Sequence, residues 1–279
     1  MDKTTKTSKE FRGTFWKQIT TDRKFKTPAA PRSVVMRPIK DQETTLYMEQ
    51  QNQYRSGVGM LMNLVKHSRP DIANATRELT KVLDGATDAH WKAMMQLIKF
   101  VLDTKTYALR LKPTCVGNGT VSLRGISDSE FAGDRETRKS VYGYVTYYCG
   151  APISWKSKSG DSVTLSSTEA EYYASSETAK ELLFIYNLVI SMEKDLELPI
   201  IMNVDNTGAI YLANNYSTGP RTKHIDIQTH FVRDLIINGI LKVVFIKSED
   251  NDADIFTKNV SEDLYIKHSG KLMDNCPEL

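Results

Sequence analysis

Two aspartates stand at the ends of predicted β-strands, where side chains from neighbouring strands can meet. Asp128 ends the stretch 121–128, and Asp205 ends the almost wholly apolar stretch 199–205. If these strands are parallel neighbours, both carboxylates lie at one edge of the sheet, where like charges repel unless a cation neutralises them. Oxygen ligands without His or Cys indicate a hard ion, Mg²⁺ or Mn²⁺. Asp205 has an alternative role as the N-cap of the helix that follows it.

A third carboxylate comes from the segment LSSTEAEYYA. At about 100° per residue, Glu171 lies within about 20° of Leu182, on the core-facing stripe of a predicted helix. Glu169 lies about 220° from Leu182 and faces the other way, and with Ser166 it forms the S-x-x-E pattern of a capping box. Because a glutamate that faces a sheet is costly unless something binds it, Glu171 is the candidate ligand. The predicted apolar stripe comprises Ala179, Leu182, Tyr186, Val189 and Ile190.

The fourth acid comes from the segment SEDNDADIFTK, where Asp250, Asp252 and Asp254 crowd the start of the last predicted helix. Acidic residues in a first turn also stabilise a helix through its dipole, so each of them has a structural alternative. Spacing alone does not select among the three. The residues therefore predict a metal site that contains Asp128, Glu171, Asp205 and one of these aspartates.

The elements that position these acids follow from the hydrophobic pattern after Pro113. Three strand-like stretches separated by turn signals predict an antiparallel meander. A strand that follows a helical crossover can lie parallel to the first strand, so the order βββαβααβα predicts an α/β fold with a mixed five-stranded sheet flanked by helices. The predicted strands are 121–128, 141–149, 153–158, 199–205 and 240–246, and the predicted helices are 167–192, 206–214, 222–239 and one from about Asn251.

A small helical unit is predicted before the sheet, over residues 46–112. Apolar residues recur there at helical spacing, and the Met and Trp stripe is expected to form its core. Pro70 is typical of a first helical turn, Gly85 of a helix end and Asp88 of an N-cap. The sheet and its helices then form a third region, residues 113–275.

The first region, residues 1–45, shows no sustained apolar period and predicts a basic, flexible arm. Residues 1–40 hold 11 Lys or Arg against 3 Asp or Glu, whereas the rest of the chain holds 26 against 31. This asymmetry is compatible with a polyanionic partner, with a solvated tail as the alternative.

Composition excludes several classes of protein. A hydrophobic content of 40% is ordinary for a globular chain, and the 3 cysteines lack the spacing of a disulfide framework or a zinc site. No apolar run is long enough to span a membrane, and the N-terminus lacks the apolar segment of a signal peptide. We therefore expect an intracellular protein, most simply a cytoplasmic one, without a membrane partner.

Six segments resemble, in order and spacing, the ribonuclease H domain of copia-type LTR retrotransposon polyproteins. They are ISDSEFAGDRETRKSVYGYV, ISWKSK, LSSTEAEYYA, VDNTGAI, RTKHIDIQTHFVRD and NDADIFTK. The segments YRSGVGMLMNLVKHSRPDIA and AHWKAMMQLIKFVLDT look like the region that joins the reverse transcriptase to that domain, so the resemblance covers about residues 46–275. Matching position by position gives Asp128, Glu171, Asp205 and Asp254, and the resemblance thus selects Asp254 among the three final aspartates.

This resemblance implies a ribonuclease H-like fold and endonucleolytic hydrolysis of the RNA strand of RNA/DNA hybrids. The four acids would hold two ions of Mg²⁺ or Mn²⁺. Contacts to 2′-hydroxyl groups would select the RNA strand. The implied partners are the hybrid and the reverse transcriptase polymerase domain of the same element, in the cytoplasm or a virus-like particle. Basic residues expected at phosphates, with a plain surface role as the alternative, are Arg138, Lys139, Arg221 and Lys223.

The chain also departs from the family pattern. The first motif, commonly S-D-A-D, here continues Asp128 with Ser129 and Glu130, which keeps the first acid. The palm of the reverse transcriptase is absent, so we expect no DNA polymerisation. The mobile histidine that cellular ribonucleases H carry shortly before the last acid is absent too, which concerns product release. His224 and His230 would lie about 240° apart on a helix, too far apart to chelate one ion, so structural or substrate-positioning roles are expected.

Two other classes of function stay open at this point. One is a catalytically inert remnant that binds nucleic acid or supports a polymerase, and it predicts salt-sensitive binding without metal-dependent cleavage. The other is a related nuclease, such as a 3′ exonuclease or an integrase, built on the same sheet. The S-S-T-E-A-E-Y and A-D-I-x-T-K segments favour ribonuclease H over that second class.

Overall fold

The computed structural model describes residues 13, 15, 22, 24–38, 44–113, 120–192, 194–215 and 226–276, and for residues 226–229 the backbone alone. The described residues fall into two compact units. The first is drawn from Met1–Leu109 and Lys258–Leu279, and the second from Arg110–Thr257. The domain boundaries expected from the sequence, at residues 45 and 112, stay predictions.

The elements of the second unit follow the order βββαβααβα that the hydrophobic pattern predicts. The helices are α1 (Met48–His67), α2 (Ala73–Thr80), α3 (Asp88–Asp103), α4 (Ser167–Ser191), α5 (Thr207–Asn214), α6 (Asp226–Ile237), α7 (Asp254–Thr257) and α8 (Glu262–Leu272), with 3₁₀ turns at Pro70–Ile72 and Ser248–Asp250. The strands are β1 (Tyr107–Leu109), β2 (Leu123–Glu130), β3 (Val141–Tyr148), β4 (Ala151–Ser159), β5 (Ile200–Val204), β6 (Leu241–Phe245) and β7 (Met273–Asn275).

The second unit contains a five-stranded sheet in the order β4-β3-β2-β5-β6. β3 pairs antiparallel with β2 and with β4, and no helix separates these strands along the chain. β5 is parallel to β2, and β6 is parallel to β5, because helices separate these strands along the chain. The predicted α/β fold with a mixed five-stranded sheet flanked by helices is therefore confirmed. This order makes β2 and β5 direct neighbours, so the carboxyl ends of both strands lie at one edge.

Helix α4 covers the central strand closely. Gly125 of β2 permits this approach, since a Cβ there would lie 2.8 Å from Leu182 and 3.0 Å from Thr178. The predicted apolar stripe is correct for Ala179, Leu182 and Val189, which are buried in the main core of this unit.

The prediction is wrong for Ile190, which is 46% exposed. Tyr186 is half-buried, and the fully packed position of that turn is Ile185. Ile185 follows Leu182 by three residues and precedes Val189 by four, and a helical period of 3.6 residues keeps these three side chains on one face.

The last predicted helix is interrupted. A single helix from about Asn251 was expected, but α7 ends at Thr257 and α8 begins at Glu262, with Ser261 in extended conformation as the N-cap of α8. Separation into two helices leaves α7 as a single short turn that packs on β2 and β3.

The first unit combines α1, α2 and α3 with α8 and the two-stranded antiparallel sheet β1-β7. Its core encloses a buried ion pair in which Arg69 donates two hydrogen bonds of 2.8 Å to Asp71. The Tyr265 hydroxyl also donates to Asp71, at 2.9 Å, and Arg69 donates to the Thr104 hydroxyl at 2.9 Å. These contacts join the 3₁₀ turn, the end of α3 and α8.

The N-cap of α3 differs from the prediction. Thr87 caps the helix in extended conformation through a capping box, in which the His90 ring nitrogen accepts from the Thr87 backbone N–H at 2.9 Å. Asp88 is the first helical residue, because a cap requires the extended backbone that Thr87 adopts. Asp88 instead adds negative charge to the first turn, where the helix dipole favours it.

Part of the basic N-terminal region lies along the first unit. The Arg32 backbone N–H donates to the Asn259 carbonyl at 2.7 Å, and the Val35 backbone N–H donates to the Glu78 carboxylate at 2.7 Å. Lys26 pairs with Glu262 at 2.7 Å. The described portion of residues 1–45 thus makes specific contacts, while a flexible arm over the whole range stays a prediction.

Candidate active site

Three aspartates converge at the carboxyl edge of β2 and β5. Asp128 lies near the end of β2, Asp205 directly follows β5, and Asp254 is the first residue of α7. One carboxylate oxygen from each lies within 4.8 Å of one from each of the others. Asp128 and Asp254 are buried, and Asp205 is half-buried. Like charges this close and this buried repel strongly, so the arrangement favours a bound cation.

Asp128 is held by two donors from the segment around α7. The Thr257 hydroxyl donates a short hydrogen bond to Oδ2, and the Asn251 side-chain amide donates to Oδ1 at 3.4 Å. The same Asn251 amide donates to the Ser127 carbonyl at 3.1 Å. The first acid therefore has a fixed orientation at the sheet edge.

Asp205 does not cap the helix that follows it. Asn206 is the N-cap of α5, and its side-chain oxygen accepts from the Ala209 backbone N–H at 2.9 Å. Asp205 instead accepts from the Ser248 hydroxyl at 2.8 Å. Because its neighbour performs the capping role, the Asp205 carboxylate can face the other two aspartates.

The structure separates the three final acids that spacing left unresolved. Asp254 joins Asp128 and Asp205 in the group, whereas Asp252 accepts a hydrogen bond of 3.3 Å from the buried Tyr147 hydroxyl. Asp250 ends the 3₁₀ turn and is half-buried. The residue that the resemblance selects is therefore the one that the fold brings to the other two acids.

Glu169 and Glu171 have different surroundings although each is 5% exposed. Glu169 belongs to the cap of α4: its backbone N–H donates to Ser166 Oγ at 3.1 Å, and its carboxylate accepts from the Leu165 backbone N–H at 2.7 Å. The capping role is as predicted, except that the carboxylate reaches Leu165 rather than the N-cap itself. Glu169 is also buried, so hydrogen bonding rather than exposure distinguishes the two glutamates.

Glu171 is bound to the residue that follows Asp128. Its Oε1 accepts from the Ser129 backbone N–H at 2.9 Å and from the Ser129 hydroxyl at 2.8 Å. Its Oε2 is buried and has no hydrogen-bond partner among the described residues. Burial raises the pKa of Glu171 well above its usual range, and the negative charges of Asp128 and Asp205 raise it further. An acid with an unsatisfied oxygen beside two like charges is a suitable metal ligand.

The donor set fits a hard divalent cation. All four side chains offer carboxylate oxygens, the ligands that Mg²⁺ and Mn²⁺ prefer, and no His or Cys belongs to the group of three aspartates. Glu171 does not belong to that group of close oxygens, but the charges of two of its members, Asp128 and Asp205, raise the pKa of Glu171. The unsatisfied Oε2 of Glu171 also indicates a bound cation, independently of the aspartates.

Of the basic residues proposed at phosphates, the structure describes two. Arg138 is exposed and Lys139 is half-buried, in the β2–β3 connection at the same end of β2 as Asp128. Arg138 has a φ of 57°, and its backbone N–H donates to the Asp134 carbonyl at 2.8 Å. Arg221, Lys223 and His224 lie outside the described residues, and His230 is exposed on α6.

Sequence reasoning did not identify the donors that hold the acids, which are Ser129, Ser248, Asn251 and Thr257. Only Thr257 carried a usable signal. It follows Asp254 by three residues, so the two side chains share one face of a helical turn.

Comparison with known proteins gives relatives that include several Pol polyproteins of transposons. No family model matches the chain. The Retrovirus-related Pol polyprotein from transposon RE2 of Arabidopsis thaliana is 36% identical over 220 residues, which cover 79% of this chain. The corresponding polyprotein from transposon TNT 1-94 of Nicotiana tabacum is 35% identical over 207 residues, or 74% of this chain. The chain spans 15% of the length of each.

A shorter relative is the Secreted RxLR effector protein 161 of Plasmopara viticola. It is 38% identical over 132 residues, which cover 47% of this chain and 90% of that protein. Among the described residues, none of the helices combines the length and apolar character that crossing a membrane requires.

Proposed function

Because the chain belongs to the copia-type retrotransposon Pol polyproteins, we propose that its second unit hydrolyses the RNA strand of RNA/DNA hybrids with Mg²⁺ or Mn²⁺. The observation that carries the proposal is the approach of Asp128, Asp205 and Asp254 to within 4.8 Å, beside the buried Glu171. Bringing like charges this close together at a buried position costs roughly several kcal/mol, so such a cluster is hard to explain as a structural feature. A cation site for phosphodiester hydrolysis explains it directly.

The four acids would act as ligands and not as a general acid/base pair. When bound, the metal supplies charge neutralisation at the phosphodiester and lowers the pKa of a water molecule. The chain's own contribution is orientation: Thr257 and Asn251 hold Asp128, Ser248 holds Asp205, and Ser129 holds Glu171. Such partners of metal ligands tune affinity and geometry.

Substrate binding is assigned to the surface around this edge. Arg138 and Lys139 would contact phosphates from the β2–β3 connection, and Arg221 and Lys223 are proposed for the same role. Phosphate contacts position a duplex without reading its sequence, and contacts to 2′-hydroxyl groups in the wide minor groove would distinguish the RNA strand. The activity would serve reverse transcription beside the polymerase domain of the same element.

The test is a panel of end-labelled RNA/DNA hybrid, RNA/RNA and DNA/DNA duplexes, each with Mg²⁺ and with EDTA. We expect cleavage of the hybrid RNA strand alone, only with metal. Asp128→Asn should reduce this cleavage by more than about 100-fold, because even outer partners of a metal ligand contribute about 10- to 100-fold. Circular dichroism of the variant should match the parent chain, which separates lost chemistry from lost folding.

Other outcomes identify the competing functions. Salt-sensitive binding of the hybrid without metal-dependent cleavage would indicate an inert nucleic-acid-binding remnant. Metal-dependent cleavage of DNA/DNA duplexes would indicate a related nuclease of another specificity. Either result contradicts the proposal.

A further inference from the structure

Thr257 is a buried hydroxyl in direct contact with the first acid. It is 2% exposed, and Asp128, which accepts its short hydrogen bond, is 1% exposed. The Thr257 oxygen also lies 3.1 Å from the Asp254 carbonyl. A hydroxyl has one proton to donate, and a carboxylate oxygen is a stronger acceptor than a peptide carbonyl, so the proton is expected on the Asp128 side.

Helix α7 places this hydroxyl and the fourth acid on one rigid turn. Asp254 and Thr257 are three residues apart and so lie on the same helical face. The turn begins with Asp254, a candidate metal ligand, and ends with Thr257, which donates to a second candidate ligand, Asp128. Any displacement of α7 therefore changes Asp254 and Asp128 together.

A missing side chain on β3 allows α7 to approach this closely. Gly143 is paired with Asp128 in the antiparallel register. A Cβ at Gly143 would lie 2.8 Å from Thr257 Cγ2 and 2.7 Å from Phe256 Cβ, closer than atoms can approach. The short α7 thus lies against β3 at Gly143, the partner of Asp128 in the register, which has no side chain.

The Asn251 amide, which also donates to Asp128, cannot replace Thr257. The Asn251 amide lies 3.4 Å from Asp128 Oδ1, which is long for a hydrogen bond, and it also donates to the Ser127 carbonyl at 3.1 Å. The short bond from Thr257 engages the other oxygen, Oδ2, and fixes the rotation of the carboxylate about its Cβ–Cγ bond.

We propose that Thr257 is a positioning residue for the metal site, which orients Asp128 and couples it to Asp254 through α7. This inference rests on the proposed function, since it assigns Thr257 a role in holding the ligands of that same site. It predicts that the Thr257 hydroxyl, rather than its bulk, sets the affinity of the site for the divalent ion.

Two pairs of variants isolate the hydroxyl. Thr257→Val keeps the shape of the parent side chain without the hydroxyl, and Thr257→Ser and Thr257→Ala differ from each other by the hydroxyl alone. The measurements are the shift of the thermal unfolding midpoint with Mg²⁺ or Mn²⁺ concentration, and the metal concentration for half-maximal hybrid cleavage. We expect both Val and Ala to raise the half-saturating metal concentration by about 10- to 100-fold, and Ser to stay within about threefold of the parent.

The outcomes separate this inference from the proposed function. Equal metal dependence of the parent, Val, Ala and Ser proteins would overturn the role of Thr257. If Val does not fold, the Ser–Ala comparison decides, and equal metal dependence within that pair overturns it too. A parent chain that is stabilised by metal but cleaves no hybrid would contradict the proposed function, while the thermal measurement would still test Thr257.

Discussion

Glu171→Gln should make the metal-free protein more stable while damaging its function. The Glu171 carboxylate is buried with one oxygen unsatisfied, and two aspartate charges act on it. A buried unsatisfied polar group costs about 1–3 kcal/mol, and more when charged, so replacing the charge by an amide should raise the free energy of unfolding by about 1–3 kcal/mol. For a chain of this size that corresponds to a rise of roughly 2–4 °C in Tm per kcal/mol.

The gain depends on pH in a definite direction. Because the pKa of Glu171 is raised in the folded state, its contribution to stability is complete below the unfolded-state value and is lost as pH rises through the folded-state value. The glutamine variant does not lose this stability, because its amide does not ionise. The stability difference between variant and parent should therefore be small near pH 4 and grow as pH increases towards and beyond neutrality.

Glu169→Gln is the matched control, two residues earlier on the same helix with the same 5% exposure. Its carboxylate accepts the Leu165 N–H at 2.7 Å at the start of α4, so neutralising it should destabilise the protein, by about 0.3–1 kcal/mol. Urea unfolding of the parent and both variants in EDTA, between pH 4 and 8, measures all three free energies. A loss of stability in Glu171→Gln comparable to that in Glu169→Gln would refute the assignment of Glu171 to the acidic cluster.

Two further predictions concern parts of the chain outside the acidic cluster. Asp71→Asn leaves the fully buried Arg69 without its counter-charge and should cost about 3–5 kcal/mol of unfolding free energy. Asp84→Asn breaks the exposed pair with Arg55 and should change the unfolding free energy by less than about 1 kcal/mol. Chemical denaturation measures both values, and similar values would contradict the structural role of the buried pair. Arg138→Ala should make the negative slope of log binding constant against log salt for hybrid binding shallower by about 0.9, and an unchanged slope would remove this residue from the phosphate contacts.

The elements and the mixed character of the sheet could be predicted because they depend on local pattern. Period-two and period-3.6 hydrophobicity marks strands and helices, and the helical crossover before β5 makes a parallel pairing with β2 the natural one. The same local geometry separated Glu171 from Glu169. The error at Ile190 arose at the margin of the stripe, since at about 100° per residue Ile190 lies about 80° from Leu182.

The parts that the sequence could not predict depend on contacts between distant residues. Thr257 lies 129 positions from Asp128 and Ser248 lies 43 from Asp205, and no local pattern shows that such hydroxyls meet carboxylates. The sequence also left two roles open for Asp205, helix cap or site residue, and the structure shows that Asn206 is the cap. Only the fold decides between two adjacent residues that are both good caps.

The most direct test of the central claim compares two aspartates that are two residues apart. Asp254 belongs to the cluster with Asp128 and Asp205, whereas Asp252, which is as buried, is bound by the Tyr147 hydroxyl. With Mg²⁺ and a labelled RNA/DNA hybrid, we predict that Asp254→Asn lowers the cleavage rate by more than about 100-fold and that Asp252→Asn stays within about threefold of the parent. Full activity of Asp254→Asn, or an equal loss in both folded variants, would contradict the account.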